Sequence, residues 1–209
     1  MARVTKDPEE RKHEIMLAAF QLFATKGFEE TAVSDIVKKV GVAQGLFYYY
    51  FKSKEEVLEA VMEHYTKELV CKIKQITMDS SNNTLEKMQR IFDAFFDFGE
   101  YDDRMISFAH SPENADLHQR FMFQTIKKVL PDLIMLVKEG IDEGIFVTEY
   151  PEDTASILLL GIGTYIHSID GFFEQKEVFM TKRKSFLEII SKTLGVKIGF
   201  RSQETGDSS

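Results

Sequence analysis

Apolar residues recur three and four positions apart along nearly the whole chain, which is the spacing of one face of an α-helix. Alternation with a period of two, which would indicate strands, is scarce. The 209 residues include only four prolines, so long helices are possible, because an internal proline removes a helix hydrogen bond and clashes with the preceding turn. The pattern predicts an all-α protein of about nine helices.

Composition limits the compartment and the chemistry. Cys71 is the single cysteine, which excludes an intrachain disulfide and a cysteine-cluster metal site and favours a reducing compartment. The longest apolar stretch, Ile157–Ile166, is interrupted by glycine and threonine and is far shorter than the roughly 20 residues of a membrane helix. Residues 1–11 are charged and lack the apolar core of a signal peptide. We therefore expect a cytoplasmic protein that does not enter a membrane.

The acidic charge is unevenly distributed. The net charge of the chain is −8, which by itself argues against a nucleic-acid partner. Residues 1–55, however, carry a net charge of +1, and residues 56–209 carry −9. Because DNA binding needs only a local basic face, the N-terminal quarter remains a candidate for it.

Two short helical segments meet at Gly41. The first carries apolar residues at helical spacing (Val33, Ile36, Val37 and Val40), with Thr31 placed to cap it and Gly41 placed to end it. The second is Ala43–Tyr50. Together they predict a helix-turn-helix at about residues 32–51, a motif whose second helix enters the major groove of DNA. Short helices joined at glycine also occur in ordinary helical bundles, so the motif alone does not decide the function.

Five consecutive aromatic residues close the second segment, at positions 47–51. On one helix they must point in several directions, so they cannot all be core residues. Phe47 and Phe51 are four positions apart and fit one buried face. Tyr48 and Tyr49 then lie outside that face, where their hydroxyls can contact DNA phosphates.

Polar and small residues around these aromatics fit the same function. Gln44, near the start of the helix, can bind adenine through two hydrogen bonds. Gly45 permits close approach of the backbone. Lys52 and Lys54 flank the start of the next helix, where backbone N–H groups attract phosphate.

The segments that contain these residues resemble the N-terminal domain of the TetR family of transcriptional regulators, over about residues 9–69. The resemblance is carried by Ile15–Phe23, Lys26–Phe28, Thr31–Val33, Asp35–Val37, Gly41–Ala43, Phe47–Phe51 and Ser53–Glu55. It implies that Thr31, Gln44, Tyr48, Tyr49 and Lys54 occupy DNA-facing positions.

Two residues depart from the family pattern. Ala43 stands where the family usually has serine, so a helix cap worth about 1 kcal/mol is missing. Leu46 stands where a small or hydroxyl residue is usual, and it can pack on a thymine methyl group. Both residues are expected to bear on the operator sequence that is recognised.

The resemblance weakens beyond about residue 75, although Val137–Phe146, Pro151–Ala155 and Ile169–Phe172 are similar to the family's dimerisation region. It implies a ligand-binding and dimerisation domain at residues 70–198, followed by a disordered tail at 199–209. The segment Ala155–Phe173 is apolar on more than one face, which favours a homodimer on a palindromic operator over a helix buried within a monomer. The candidate interface residues are Leu158, Gly161, Ile162, Tyr165, Ile169, Phe186 and Ile190.

Large flexible and aromatic side chains are concentrated between Ile91 and Phe123. The family binds small effectors in this region, and ligand pockets are mostly apolar with a few polar groups. We therefore expect a small apolar or aromatic effector, although a helical core could use the same side chains. The candidate contacts are Phe92, Phe95, Phe96, Tyr101, Met105, Phe108, His110, Phe121, Gln124 and Tyr165.

The sequence thus predicts a ligand-responsive DNA-binding regulator, with repression as the family's commoner outcome. Two other classes remain open. An enzyme that uses the helical pocket is one, although no catalytic constellation such as G-x-S-x-G is present. A dimeric sensor or adaptor without operator binding is the other. His110 and His118 match no strong zinc spacing, and neither a metal nor a cofactor is expected.

Overall fold

The structure, a computed structural model, describes residues 7–96, 108, 110–169, 172 and 175–196. Within these ranges the chain is helical and contains no strand. The α-helices are α1 (Pro8–Lys26), α2 (Val33–Val40), α3 (Gln44–Tyr50), α4 (Lys54–Met78), α5 (Thr84–Phe96), α6 (Ala115–Asp142), α7 (Pro151–Tyr165) and α8 (Lys176–Thr193). Short 3₁₀ turns occupy Pro112–Asn114 and Ile166–Ser168. The all-α prediction is confirmed, and the expected tail at 199–209 lies outside the described residues.

Local signals fix the ends of α1. The Asp7 side chain accepts a hydrogen bond from the backbone N–H of Glu9 at 2.9 Å, and Pro8 follows at the first helical position. Gly27 ends the helix with a φ of +98°. Both ends of α1 therefore carry residue types that favour a helix start and a helix end.

The predicted cap of α2 is wrong. Ala32 occupies the cap position, and Thr31 is buried, with its hydroxyl donating to the Gly27 carbonyl at 2.7 Å. The Asp35 carboxylate instead accepts a hydrogen bond from the Ala32 N–H at 3.1 Å. Asp35 thus satisfies the backbone N–H of the cap residue, while the cap residue itself has no side-chain acceptor for the first turn.

Two features of the C-terminal helices do not follow from local sequence rules. Helix α6 continues through Pro131, although an internal proline commonly ends a helix. Proline has no N–H to donate to the carbonyl four residues earlier. Because Pro131 is exposed, that carbonyl can bond to water instead. Helix α7 ends at Tyr165, before the end of the apolar segment Ala155–Phe173, because the 3₁₀ turn leads into extended backbone at Ile169 (φ −97°, ψ 113°).

Three apolar cores hold the helices together. The first lies among α1–α4 and is completed by Phe108, Leu117 and Phe121. The second joins α5, α7, α8 and the end of α6, and the third joins the end of α4 to α5 and the middle of α6. Helices α4 and α6 share the most extensive packing of any helix pair, and the hydroxyls of Thr66 and Thr125 meet between them at 3.1 Å. The described part of the chain contains no helix that is long and apolar enough to cross a membrane.

Candidate nucleic-acid interface and effector region

A tight turn sets the angle between α2 and α3. Gly41 adopts left-handed backbone (φ 75°, ψ 37°), and the N–H groups of Gly41 and Val42 both donate to the Val37 carbonyl at 2.9 Å. Phe47 and Phe51 are both buried in the first core. The predicted buried face of α3 is therefore confirmed, and these two rings fix the rotation of α3 about its axis.

The opposite side of α3 is open to solvent. Tyr48 is 53% exposed and Tyr49 is 75% exposed. Ala43, Gln44 and Gly45 are exposed at the start of the helix, and Leu46 is half-buried beside them. Large exposed aromatic side chains at a helix surface usually mark a contact site. We refer to this exposed side of α3, at residues 43–46, 48 and 49, as the recognition face.

Lys52 and Lys54 occupy different environments. Lys52 is exposed, and its backbone N–H donates to the Glu56 carboxylate at 2.5 Å. The Lys54 ammonium donates to the Phe28 carbonyl at 2.7 Å and lies 4.6 Å from the centre of the Phe28 ring. Lys54 therefore ties the start of α4 to the turn after α1, a structural role that the sequence did not reveal.

Thr31, like Lys54, is engaged in a contact within the protein and not on the recognition face. Its side chain is only 1% exposed and its hydroxyl is directed at the Gly27 carbonyl. This placement does not support a DNA contact by the Thr31 side chain. It indicates instead that Thr31 supports the turn that precedes α2.

Two lysines that the sequence analysis did not select extend the basic surface. Lys38 and Lys39 lie in the last turn of α2 and are exposed. The signal that could have identified them is their position immediately before the turn that leads to α3. Nearby, the Lys26 ammonium forms an ion pair with Asp35 and is the main reason that the pKa of this carboxyl lies below its ordinary value. Lys38 and Lys39 therefore add positive charge at the opposite end of α2, next to the turn that leads to α3.

The predicted effector contacts do not form one site. Phe92, Phe95 and Phe96 belong to the second core, whereas Phe108 and Phe121 belong to the first. The remaining polar candidates are also dispersed: Gln124 is exposed, and the His110 ring lies 4.3 Å from that of His118. Tyr101 and Met105 lie outside the described residues. The prediction of one contact region is therefore wrong for the described candidates, because those on α5 pack with α7 and α8, whereas Phe108 and Phe121 pack with the DNA-binding helices.

Six aromatic rings do come together, five of them in the second core and the exposed Tyr165 at its edge. We refer to Phe92, Phe96, Tyr165, Phe172, Phe179 and Phe186 as the ring cluster. Phe96 is its centre: its ring centroid lies 4.6 Å from that of Phe92, 5.9 Å from that of Phe179 and 6.2 Å from those of Phe172 and Phe186. The Tyr165 ring lies 6.1 Å from that of Phe186. Sequence reasoning missed Phe172 and Phe179, since neither lies in the segment that was rich in aromatics.

The candidate dimer residues also divide into two groups. Phe186 and Ile190 are buried in the subunit's own second core, so their proposed place in a dimer interface is wrong. Leu158, Ile162 and Ile169 are half-buried against the same core. Gly161 and Tyr165 are exposed on the outer side of α7. Ile157, which the sequence analysis did not select, is 69% exposed and lies on the same side as Gly161 and Tyr165.

No group of three or more His, Cys, Asp or Glu side chains in the described residues is arranged to hold a metal ion. The two histidines considered above, His110 and His118, contact each other through their rings.

Family comparisons agree with the arrangement of the helices. Residues 15–61 match the model of the bacterial regulatory proteins of the tetR family, and residues 103–189 match that of the tetracyclin repressor-like C-terminal domain. The HTH-type transcriptional repressor KstR2 of Mycobacterium tuberculosis is 30% identical over 154 residues, which are 70% of this chain and 74% of KstR2. The uncharacterized regulator YerO of Bacillus subtilis is 30% identical over 141 residues, and the match spans about half of its length (49%).

Solved structures show the same fold. A transcriptional regulator of the TetR/AcrR family from Thermobifida fusca has a TM-score of 0.68 at 22% identity, covering 87% of this chain and 96% of that one. FadR from Bacillus subtilis, solved in complex with stearoyl-CoA, has a TM-score of 0.64 at 23% identity, covering 85% and 96%. The helix-turn-helix, the helical C-terminal domain and the 30% identity to KstR2 together lead to one conclusion. The chain belongs to the TetR family of bacterial regulatory proteins.

Proposed function

We propose that this protein is a cytoplasmic, homodimeric transcriptional repressor that binds a palindromic operator and leaves it when a small apolar effector binds. The observation that carries the proposal is the division of α3 into two sides. Phe47 and Phe51 anchor the helix in the first core, while Tyr48 and Tyr49 stand exposed on the recognition face. A helix fixed on one side and open on the other is suited to insertion in a major groove.

The recognition face has the chemistry to position the protein on DNA and to read bases. The tyrosine hydroxyls and Lys52 can bind phosphates, which set the register of the helix on the duplex. Gln44 can form two hydrogen bonds with adenine, and Leu46 can contact a thymine methyl group. Lys38 and Lys39 add positive charge at the adjacent end of α2.

A two-fold dimer is supported by an exposed stripe on α7. Ile157, Gly161 and Tyr165 are four positions apart, so they lie along one side of the helix, and all three are exposed. Pairing this stripe with that of a second subunit would bury it. The two recognition helices would then have to lie about 34–36 Å apart, or a multiple of that, to enter successive major grooves on one side of the duplex.

Helix α4 connects the DNA-binding helices to the region proposed to bind the effector. Val57, Val61 and Met62 lie in the first core, and Ile73 and Ile76 lie in the third. An effector that displaces α5 or α6 therefore also moves the helix that supports α3. Because the coupling is reciprocal, effector and operator weaken each other's binding by the same factor. The same fold accommodates a long amphipathic ligand in the FadR structure, which supports an apolar effector here.

Binding of the full-length protein to DNA from the region upstream of its own gene tests the proposal, with fluorescence anisotropy over a salt series. We expect saturable binding much tighter than to random DNA. Lys52→Gln should weaken binding to all DNA sequences alike and reduce by about one the slope of log affinity against log salt concentration. Gln44→Ala should mainly reduce the preference for the operator over random DNA. Lys74→Gln, at an exposed lysine near the far end of α4, is the matched control. Wild-type protein that binds no DNA at low salt would favour the sensor or adaptor instead.

A further inference from the structure

The side of α8 that faces the ring cluster carries two cations. Phe179, Lys182, Arg183 and Phe186 are spaced i, i+3, i+4 and i+7, so they share one side of the helix. Phe186 is buried there and Phe179 packs against the same core. A helix side that packs on a core is normally apolar throughout. Here its two central positions are a lysine and an arginine, both half-buried.

Each cation lies over a different ring of the cluster. The Arg183 guanidinium is 5.7 Å from the centre of the Phe92 ring, and it forms an ion pair with Asp93 of α5. The Lys182 ammonium is 5.5 Å from the centre of the Tyr165 ring and 3.4 Å from the Tyr165 hydroxyl. Long basic side chains that only cover apolar surface extend their charged ends into water. These two charged ends instead border the aromatic rings.

Helix α8 carries a net positive charge. The helix contains five Lys or Arg and two Glu, although residues 56–209 as a whole carry a net charge of −9. Helix α5, which packs opposite, is neutral, with Glu86 and Asp93 against Lys87 and Arg90. Asp93 balances Arg183, and the contacts that the described residues give Lys182 are with Tyr165. Among the described residues, Lys182 thus contacts a ring and a hydroxyl but no carboxylate, so this edge of the ring cluster can accept an anion.

We propose that the effector is an amphipathic anion whose carboxylate or phosphate binds Lys182 and Arg183 while its apolar part enters the ring cluster. This inference rests on the proposed function and specifies the chemical class of its effector. Half-buried cations bind anions more strongly than they bind neutral oxygens, because charge-assisted hydrogen bonds are shorter and stronger. The Arg183 guanidinium has five donors, so it can form with a ligand anion the ion pair that it now forms with the Asp93 carboxylate.

The same contacts explain how such a ligand would enter. The rings are packed closely, so an apolar chain or ring must separate α5 from α8 to reach them. The Arg183–Asp93 ion pair spans these two helices. A ligand anion that takes the place of the Asp93 carboxylate lets the helices separate without leaving the guanidinium unpaired. An uncharged ligand of the same shape has no such group to offer.

Matched pairs of ligands test the head group. The probes are dodecanoate and 1-dodecanol, 4-phenylbutyrate and 4-phenylbutanol, with dodecyl phosphate and dodecanoyl-CoA as phosphate-bearing members. Affinity for the full-length dimer is measured by calorimetry, and operator release is measured by anisotropy. We expect the anionic member of a pair to bind about tenfold or more tightly than its alcohol. Comparing the affinity for dodecanoate with the affinities for the two phosphate-bearing probes then identifies the preferred head group as carboxylate or phosphate.

Variants assign the effect to the two cations. Lys182→Gln keeps the Arg183–Asp93 ion pair and should reduce affinity for the anion about tenfold while leaving that for the alcohol unchanged. Asp93→Asn removes the competing carboxylate and should increase affinity for the anion. Lys184→Gln, at an exposed neighbour on the same helix, is the control and should change neither the affinity for the anion nor that for the alcohol.

The possible outcomes distinguish a failure of this inference from a failure of the proposed function. Equal binding of acid and alcohol, both releasing operator, would overturn the anionic head group and leave the repressor intact. Preference for the anion that survives Lys182→Gln and Arg183→Gln would overturn the assigned site. If no probe binds a dimer that still binds its operator, the anionic amphipathic effector is wrong, whereas operator binding by the proposed repressor stands.

Discussion

The ring of Phe108 packs against that of Phe20 in α1, with ring centroids 5.9 Å apart, and lies 6.1 Å from that of Phe23. Phe108 thus comes from the part of the chain assigned to effector binding, yet it contributes to the core of the DNA-binding helices. Phe121 and Leu117 of α6 do the same. The two domains therefore share a core, which provides a direct physical link between effector binding and the position of α3.

Replacing Phe121 should destabilise the DNA-binding domain. Phe121→Ala removes a buried ring from the first core, and we expect a loss of about 3–5 kcal/mol in the free energy of unfolding, measured by urea denaturation. Phe123→Ala is the control, since Phe123 lies two positions further on the same helix and is 42% exposed. Similar losses for both variants would contradict the shared core.

Lys54 should contribute to stability as well as to DNA binding. Lys54→Ala breaks charge-assisted hydrogen bonds to the Phe28 and Glu29 carbonyls, and we expect a loss of about 1–3 kcal/mol in urea denaturation. Lys52→Ala should leave stability unchanged, because the Lys52 side chain is exposed. If both variants denature at the same urea concentration as wild type, the structural role of Lys54 is refuted.

Ala43→Ser should stabilise α3. Ala43 has extended backbone (φ −73°, ψ 147°) at the cap position and offers no side-chain acceptor, whereas serine there can accept from the first-turn N–H groups. We expect a gain of about 0.5–1 kcal/mol in the free energy of unfolding. Ala43→Val, which cannot cap, should give no gain. A loss of stability in the serine variant would contradict the cap geometry.

Gly161→Ala should weaken the dimer. Gly161 lies on the outer side of α7, and an added methyl group meets no atom of the same subunit within 4 Å. In the proposed dimer it would obstruct close approach of the partner helix, so we expect a higher dissociation constant by analytical ultracentrifugation. Gly163→Ala is the control, because its methyl group would face Ile126 of the same subunit at an ordinary contact distance of 3.8 Å. An unchanged dissociation constant for Gly161→Ala would place the dimer interface elsewhere.

His64 should make stability depend on pH. Partial burial lowers the pKa of His64, Glu68 opposes this effect with its carboxylate 3.4 Å away, and His13 and Lys67 lower the pKa further. The folded state therefore binds fewer protons than the unfolded state. The stability contributed by the neutral form of His64 is fully present above the ordinary histidine pKa of about 6.5. It is lost as the pH falls below that value, because the unfolded state then takes up the proton more readily.

The measurement is the urea midpoint as a function of pH. His64→Gln should flatten the decrease in midpoint below about pH 6.5, and Glu68→Gln should make it steeper because it removes the opposing charge. A wild-type profile with no decrease between about pH 7.5 and 5 would contradict the assignment.

Features that depend on neighbouring residues were accessible from the sequence. Asp7, Gly27 and Gly41 act through their own backbone and adjacent turns, so the limits of α1 and the turn of the helix-turn-helix could be predicted. The burial of Phe47 and Phe51 follows from helical spacing alone. The recognition face could be predicted for the same reason, as the remainder of a short helix whose other side is buried.

Features that depend on distant contacts could not be predicted. Lys54 finds its carbonyl partner 26 residues earlier in the chain, so its charge pattern indicated only a phosphate contact. Helical spacing shows that Phe186 and Ile157 lie on apolar sides of their helices, but it does not show which neighbour covers each side. Phe186 proved to be covered by its own subunit, whereas Ile157 is exposed.

The shared core restricts how regulators of this kind can be recombined. A hybrid that joins the helices up to Met78 to an unrelated effector domain would lose Phe108, Leu117 and Phe121, and would leave Phe20 and Phe23 partly uncovered. New operator preferences are therefore more accessible through changes on the solvent side of α3 than through exchange of whole N-terminal modules. A successful exchange would have to transplant the start of α6 together with the DNA-binding helices.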